Sequence, residues 1–175
     1  MRSILICFYC FMIIQTGIAQ EIIIRETNLK VESVLKQFGP DLSEDKRFEL
    51  ILSIFGTNVE AYPRLIFETG QKLYTISKKN NDIISETAAW SFYGQSYRLS
   101  ANYIKGLECH LKAIALAEKS GNKSLLALAQ NQMAHIYKDR EEYDKALRLY
   151  NMAKYNAKLG VSDQMVVWPM MNMGA

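Results

Sequence analysis

Four groups of residues in this chain have the types that could do chemistry. Gly94-Gln95-Ser96 is the first half of the G-x-S-x-G turn that presents a nucleophilic serine. Cys7-x-x-Cys10 has the spacing of a redox or metal pair, and Cys109 and His110 set a thiol beside an imidazole. His135 shares a helical face with Asn131, four residues before it, and Lys138, three after. The first three groups are incomplete. The nucleophile turn needs a second glycine where Arg98 stands, and a strand ahead of it that the sequence does not provide, so Ser96 is not expected to be catalytic. Cys7 and Cys10 lie within an N-terminal apolar run, and no second pair of ligands at zinc spacing accompanies Cys109 and His110. No catalytic residue, metal or cofactor is expected.

Composition narrows the class further. The 175 residues are 49% hydrophobic and 22% charged, and the net charge is +3 from 21 basic and 18 acidic residues. Charges of both signs are interspersed, which is the pattern of a solvated globular surface and not of a nucleic-acid footprint. The first residues differ from the rest. Arg2 precedes an apolar run from Ile4 to Ile14, and Gly17-Ile18-Ala19 follows with small residues at the first and third positions. That order reads as a secretory signal peptide over residues 1–19, with an uncleaved anchor as the alternative that its short apolar run favours less, so the chain is expected to be exported. Cleavage there would leave Cys109 as a lone thiol, with no internal disulfide.

The elements that must position the remaining polar residues are helices throughout. Over 20–40, Asn28 is expected to cap a short helix carrying Leu29, Val34, Leu35 and Phe38, stopped by Gly39-Pro40. Asp41-x-x-Glu44 resembles a capping box ahead of Phe48, Ile51, Leu52 and Phe55, spaced i, i+3, i+4, i+7. Gly56 ends that helix, and Pro63 suits the first turn of the next, which reaches about Lys79. Further helices are expected over about 83–99, 103–120, 124–139 and 143–159, with Gly121 and Gly160 as stops. Short connections make neighbouring helices antiparallel hairpins.

A repeat organises them. A shift of 40 residues carries Ala89 onto Ala129, Gly94 onto Ala134, Tyr97 onto Tyr137, Lys105 onto Lys145, Ala113 onto Ala153 and Ala117 onto Ala157. A fixed period of this size marks stacked supersecondary units. The small residues Gly94 and Ala134 are expected where a partner packs closely against the helix. A glycine inside a helix costs about 1 kcal/mol against alanine, so that packing must offset it.

These residues resemble the tetratricopeptide repeat family. Trp90-x2-Tyr93-Gly94-x2-Tyr97 follows its opening pattern with tyrosine for leucine, and Ala146-x3-Tyr150 follows its second element. In the first unit that element is Gly106-x3-His110, which makes His110 a packed core histidine at an aromatic position, with Ala113 next. The family's usual period is about 34 residues with a closing proline, whereas this chain repeats every 40 and has Glu118 at the proline position. The resemblance implies an α-solenoid of helix hairpins: a degenerate unit over 41–82, units over 83–122 and 123–160, and the start of another over 161–175, with Met173-Gly174 at the leucine–glycine positions. The chain is accordingly expected to be the N-terminal part of something longer.

The resemblance also implies a groove lined by the first helix of each unit. Ser91, Gln95 and Arg98 would line it in one unit, and Asn131, His135 and Lys138 in the next, as a polar stripe that takes a protein or peptide and favours acidic groups. The carboxylate-clamp form of the family is not implied, since Ser91 and Gln95 do not match its lysine and asparagine. Long-period repeats behind an export signal resemble the extracytoplasmic sensor or scaffold part of bacterial signalling proteins, in the periplasm or at the outer face of the inner membrane. The alternative expectation is the regulatory arm of a sensor histidine kinase or transcriptional regulator whose output domain lies beyond residue 175.

Overall fold

The computed structural model describes residues 2–57 and 59–160. Among the described residues the chain forms seven α-helices and no strand: α1 Arg2–Leu35, α2 Glu44–Phe55, α3 Pro63–Asn80, α4 Ile83–Leu99, α5 Tyr103–Ser120, α6 Lys123–Asp139 and α7 Tyr143–Leu159. A 3-10 turn, Val59–Ala61, joins α2 to α3. The expected all-α class is the observed one, with α3 packed on α4, α4 on α5, α5 on α6 and α6 on α7 as in a helical solenoid. The reading of residues 161–175, Gly174 included, lies outside the described residues. Among those described, no helix is long and apolar enough to cross a membrane.

Local chemistry sets most helix ends. Asp82 caps α4 by accepting from the backbone N–H groups of Ile84 and Ser85, and Asn122, one period later, caps α6 by accepting from Leu125. Asn102 does the same for α5 through the N–H of Lys105. The turns that close α4 and α6 are superimposable at the level of hydrogen bonds. Ala101 and Asn102 donate to the carbonyls of Arg98 and Tyr97, and Glu141 and Glu142 donate to those of Lys138 and Tyr137. Each is a Schellman motif whose left-handed residue is not glycine: Ala101 has φ 56° and Glu141 has φ 62°.

Two sequence expectations need correction. Asn28 caps nothing, because α1 is continuous through it; a cap needs extended backbone, and here Thr27, Val31 and Leu35 dock as one buried helical stripe. Asp41 does not open α2 either. Ser43 does, its hydroxyl accepting from the N–H of Lys46 at 3.2 Å, while Glu44 and Asp45 occupy the first turn where a helix dipole favours acids. Gly121 ends α5 in the left-handed conformation, φ 72°, as expected; Gly160 ends α7 with extended backbone and lies pressed against the Ser124 side chain.

The core centres on α4, which packs against α2, α3, α5 and α6 at once. Phe92 is fully buried and stacks on Phe55 of α2, ring centroids 4.5 Å apart and 12° from parallel. α2 packs chiefly on α1 and α4, so the segment 41–82 does not form a close hairpin of its own. Arg47 of α2 reaches Asp82, its Nε 3.0 Å from Oδ2, and also donates to the Pro40 carbonyl at 2.7 Å, which ties the loop before α2 to the start of α4.

Gly94 explains itself in this packing. A Cβ built there would fall 2.6 Å from Cε1 and Nε2 of His110, whose ring is fully buried between α4 and its neighbours. Gly106, on α5, lies against the Gly94 carbonyl (3.2 Å from its would-be Cβ) and the end of Ile136 (2.8 Å). The α4–α5 crossing is therefore a glycine-on-glycine approach with an imidazole filling the gap. Ala113, Ala134, Ala146 and Ala153 are buried, and Tyr137 and Tyr150 pack with Ala134 and Ala146.

Candidate functional site

The six residues expected along the groove separate into two groups. Ser91, Gln95 and Asn131 are buried, so they do not form a solvent-facing stripe. Arg98, His135 and Lys138 reach the boundary between core and solvent. The reason is the crowding of α4, enclosed by four helices, and of α6, buried without interruption from Leu125 to Ala134. A polar residue type does not reveal how many neighbours its helix will have. The density of small residues in α4 (Ser85, Ala88, Ala89, Ser91, Gly94, Ser96) is the signal that announces close packing on several sides.

What α4, α6 and α7 enclose is a polar seam. Arg98 donates from Nε to Gln95 Oε1 at 3.0 Å and from Nη1 to Asp139 Oδ2 at 2.6 Å, which joins the two repeat units end to end. His135 Nδ1 lies 2.9 Å from the Tyr150 hydroxyl, and its Nε2 lies 3.4 Å from the Asn131 amide nitrogen. In the neutral ring one nitrogen donates and the other accepts, so the imidazole bridges Asn131 and Tyr150. Deeper in, Asn156 donates to Gln130 Oε1 at 2.9 Å. Asp139, Gln130 and Asn156 were absent from the sequence reading, although Asp139 follows directly on Lys138, the residue aligned with Arg98.

Burial sets the charge state of the seam. It pulls His135 down to about 4, helped by the nearby Arg98 and Lys138 cations and opposed by Asp139. His110 is pulled to about 3, again by burial first, then by Arg98 and His135. Both rings are neutral at pH 7. His110 is also unusual in that neither ring nitrogen has a hydrogen-bond partner among the described residues. It occupies the position of Tyr150 in the other unit and serves as an aromatic wedge against Gly94, as expected of a core histidine, but one with its polar edges unsatisfied. Ser91 Oγ and Asn131 Oδ1 are likewise unpartnered.

The aromatic residues of the repeat pattern have a different role from the one their pattern suggests. Trp90, Tyr93 and Tyr97 are only half-buried, on the side of α4 that faces α3 and α5. Trp90 and Tyr93 meet at 5.6 Å, 71° apart, and Phe67 of α3 contacts both Tyr93 (5.1 Å) and Tyr97 (6.0 Å). They line an open cleft and are not sealed core. Among the described residues no cluster of histidine, cysteine and carboxylate side chains has the arrangement of a metal site. Cys109, buried at the floor of this cleft, has its thiol pushed up chiefly by burial.

Residues 85–154 match the family model for the tetratricopeptide repeat, a span that begins in the first turn of α4 and ends within α7. No curated protein and no solved structure matches the chain. The match, over less than half of the chain, and the packing of successive helices support tetratricopeptide-like repeats across α4–α7; such repeats generally present surfaces to other proteins and are non-catalytic.

Proposed function

We propose that this chain is a protein-interaction module that acts outside the cytoplasm, as the sensor or scaffold part of a signalling protein, and that it holds a protein or peptide along the edge where Arg98, His135 and Lys138 emerge. The observation that carries the interaction reading is the coincidence of the repeat match with α4–α7. Arg98 is already engaged by Asp139, whereas Lys138 on the same edge has no ion pair among the described residues. An acidic group on the partner would pair with Lys138 first. The export reading rests on the charged, apolar and small-residue order of the first 19 residues.

A photo-cross-linking amino acid in place of Arg140, beside an intact Lys138, should capture a specific protein in the cells of origin, and adding Lys138→Glu or moving the group to Lys79 on α3 should lose it. Equal capture from the two positions, capture that survives Lys138→Glu, or none from Arg140 refutes the assignment of the edge. Fusing residues 1–40 to a reporter enzyme that is active only outside the cytoplasm tests export separately, and an inactive fusion refutes that part alone.

A further inference from the structure

We infer that the cleft between α3, α4 and α5 is a second recognition surface, built to take an aromatic side chain from an acidic peptide. Its volume is about 310 Å³, enough for a large side chain and the backbone beside it. Phe67, Trp90, Tyr93 and Tyr97 form its walls. Three ring pairs among them are tilted or edge-on, at 5.1–6.0 Å, so the walls are not closed by face-to-face stacking. Lys105 and Lys112 stand at the rim, with their ammonium groups 5.6 Å from the Tyr97 ring centroid and 4.2 Å from that of Trp90. No carboxylate pairs with either lysine among the described residues, and Glu108 between them is also unpaired. The rim therefore carries two cations held in place by aromatic faces against one exposed anion.

The repeat supplies an internal control that separates packing from recognition. One period later Tyr137 and Lys145 repeat the Tyr97–Lys105 pair, with the ammonium 5.3 Å from the ring, so that pair belongs to the common architecture. Trp90, Tyr93 and Lys112, in contrast, align with Gln130, Met133 and Met152. Packing a helix pair in this protein does not require an aromatic wall with a second lysine. Of these two units only 83–122 has them, partly open to solvent, and the extra groups are those that hold an aromatic residue and a neighbouring carboxylate. The cleft lies on a different side of α4 from the Arg98–Asp139 seam, so its occupant does not compete with one bound at Lys138. This inference deepens the interaction reading by naming a partner chemistry, and its test is run on the intact chain with a defined probe.

The probe is a dye-labelled, blocked five-residue peptide with a central phenylalanine between two aspartates on each side, titrated by fluorescence anisotropy at low salt. Saturable binding is expected, weakened about tenfold or more by each of three changes: alanine for the central phenylalanine, lysines for the aspartates, or Lys112→Glu in the protein. Lys112 is exposed, so this variant is expected to keep its helicity and thermal transition, and circular dichroism checks that. No saturation up to millimolar protein overturns the proposal. So does equal affinity for the alanine or lysine peptide, or for the Lys112→Glu protein. A Lys138→Glu variant should bind the probe as the wild type does; loss of binding there overturns the cleft as the site, whereas the cross-linking test of the Lys138 edge stands or falls independently.

Discussion

His110 and His135 are the two histidines of the chain, so between pH 8 and pH 5 most proton uptake linked to unfolding passes through them. For His110 the ordinary value is 6.5 and the folded value about 3. The native ring is therefore neutral at pH 5, while the unfolded ring is almost entirely protonated. A folded value below the unfolded one means that the unfolded state binds more protons, so stability rises with pH. The contribution is fully present above about pH 6.5 and is lost as pH falls toward the folded value. At pH 5 the unfolded state gains RT ln(1 + 10^1.5), about 2 kcal/mol. His135, lowered to about 4, adds a similar amount, for a total of about 4 kcal/mol between pH 8 and pH 5. That is a large part of the stability of a domain this size. Urea unfolding followed by circular dichroism at the two pH values measures it directly. His110→Phe puts an apolar ring at an aromatic position of the repeat and should halve the difference. It should also relieve two unsatisfied nitrogens, against which stands the tight contact with Gly94. A wild type whose stability changes by less than about 1 kcal/mol across this range, or a His110→Phe protein that keeps the full difference, would refute the argument.

Substitutions at two further positions test the packing and the capping of α4. Gly94→Leu must find room for a side chain whose first carbon already falls 2.6 Å from the His110 ring, and it should cost about 3 kcal/mol despite leucine's better helix propensity; an unchanged melting curve contradicts the close approach. Asp82→Ala removes the cap of α4 and leaves Arg47 without its anion, for an expected loss of about 3 kcal/mol by urea denaturation, while Asp82→Asn keeps the cap acceptor and should lose clearly less. Equal losses from the two would show that the charge on Asp82 contributes nothing.

Helix positions were legible in the sequence where the signals are local. α4, α5 and α7 have the bounds that their spacing and flanking residues indicated, and α6 starts one residue earlier, because Asp82, Asn102, Asn122 and Gly121 act on backbone groups within a few residues of themselves. Competition between nearby caps was not legible. Ser43 and Asp41 both have the right chemistry, and only the three-dimensional path of the chain selects Ser43. Burial of the site residues was the least legible feature. Ser91, Gln95 and Asn131 sit at positions that would face solvent on an isolated hairpin, and the helices that cover them lie in other units, tens of residues away. The glycine at 94 was readable as a contact point, but not that an unpartnered imidazole would fill the contact.

The placement of α4 also bears on how such an array can change over generations. Chains built from repeats lengthen or shorten by gaining or losing whole units when each unit touches only its two neighbours. Here α4 contacts only its own unit and the two beside it, but those partners are fitted to it: Phe55 to Phe92, Gly70 to Tyr93, Ser96 to the Pro63 carbonyl. One period on, α6 offers Gln132, Met133 and Ile136 at those three positions. A deletion of residues 83–122 would keep the reading frame and the period, yet it would set α3 and α2 against a helix with none of the matching surface. The 40-residue spacing is common to the two units, but they are not exchangeable parts.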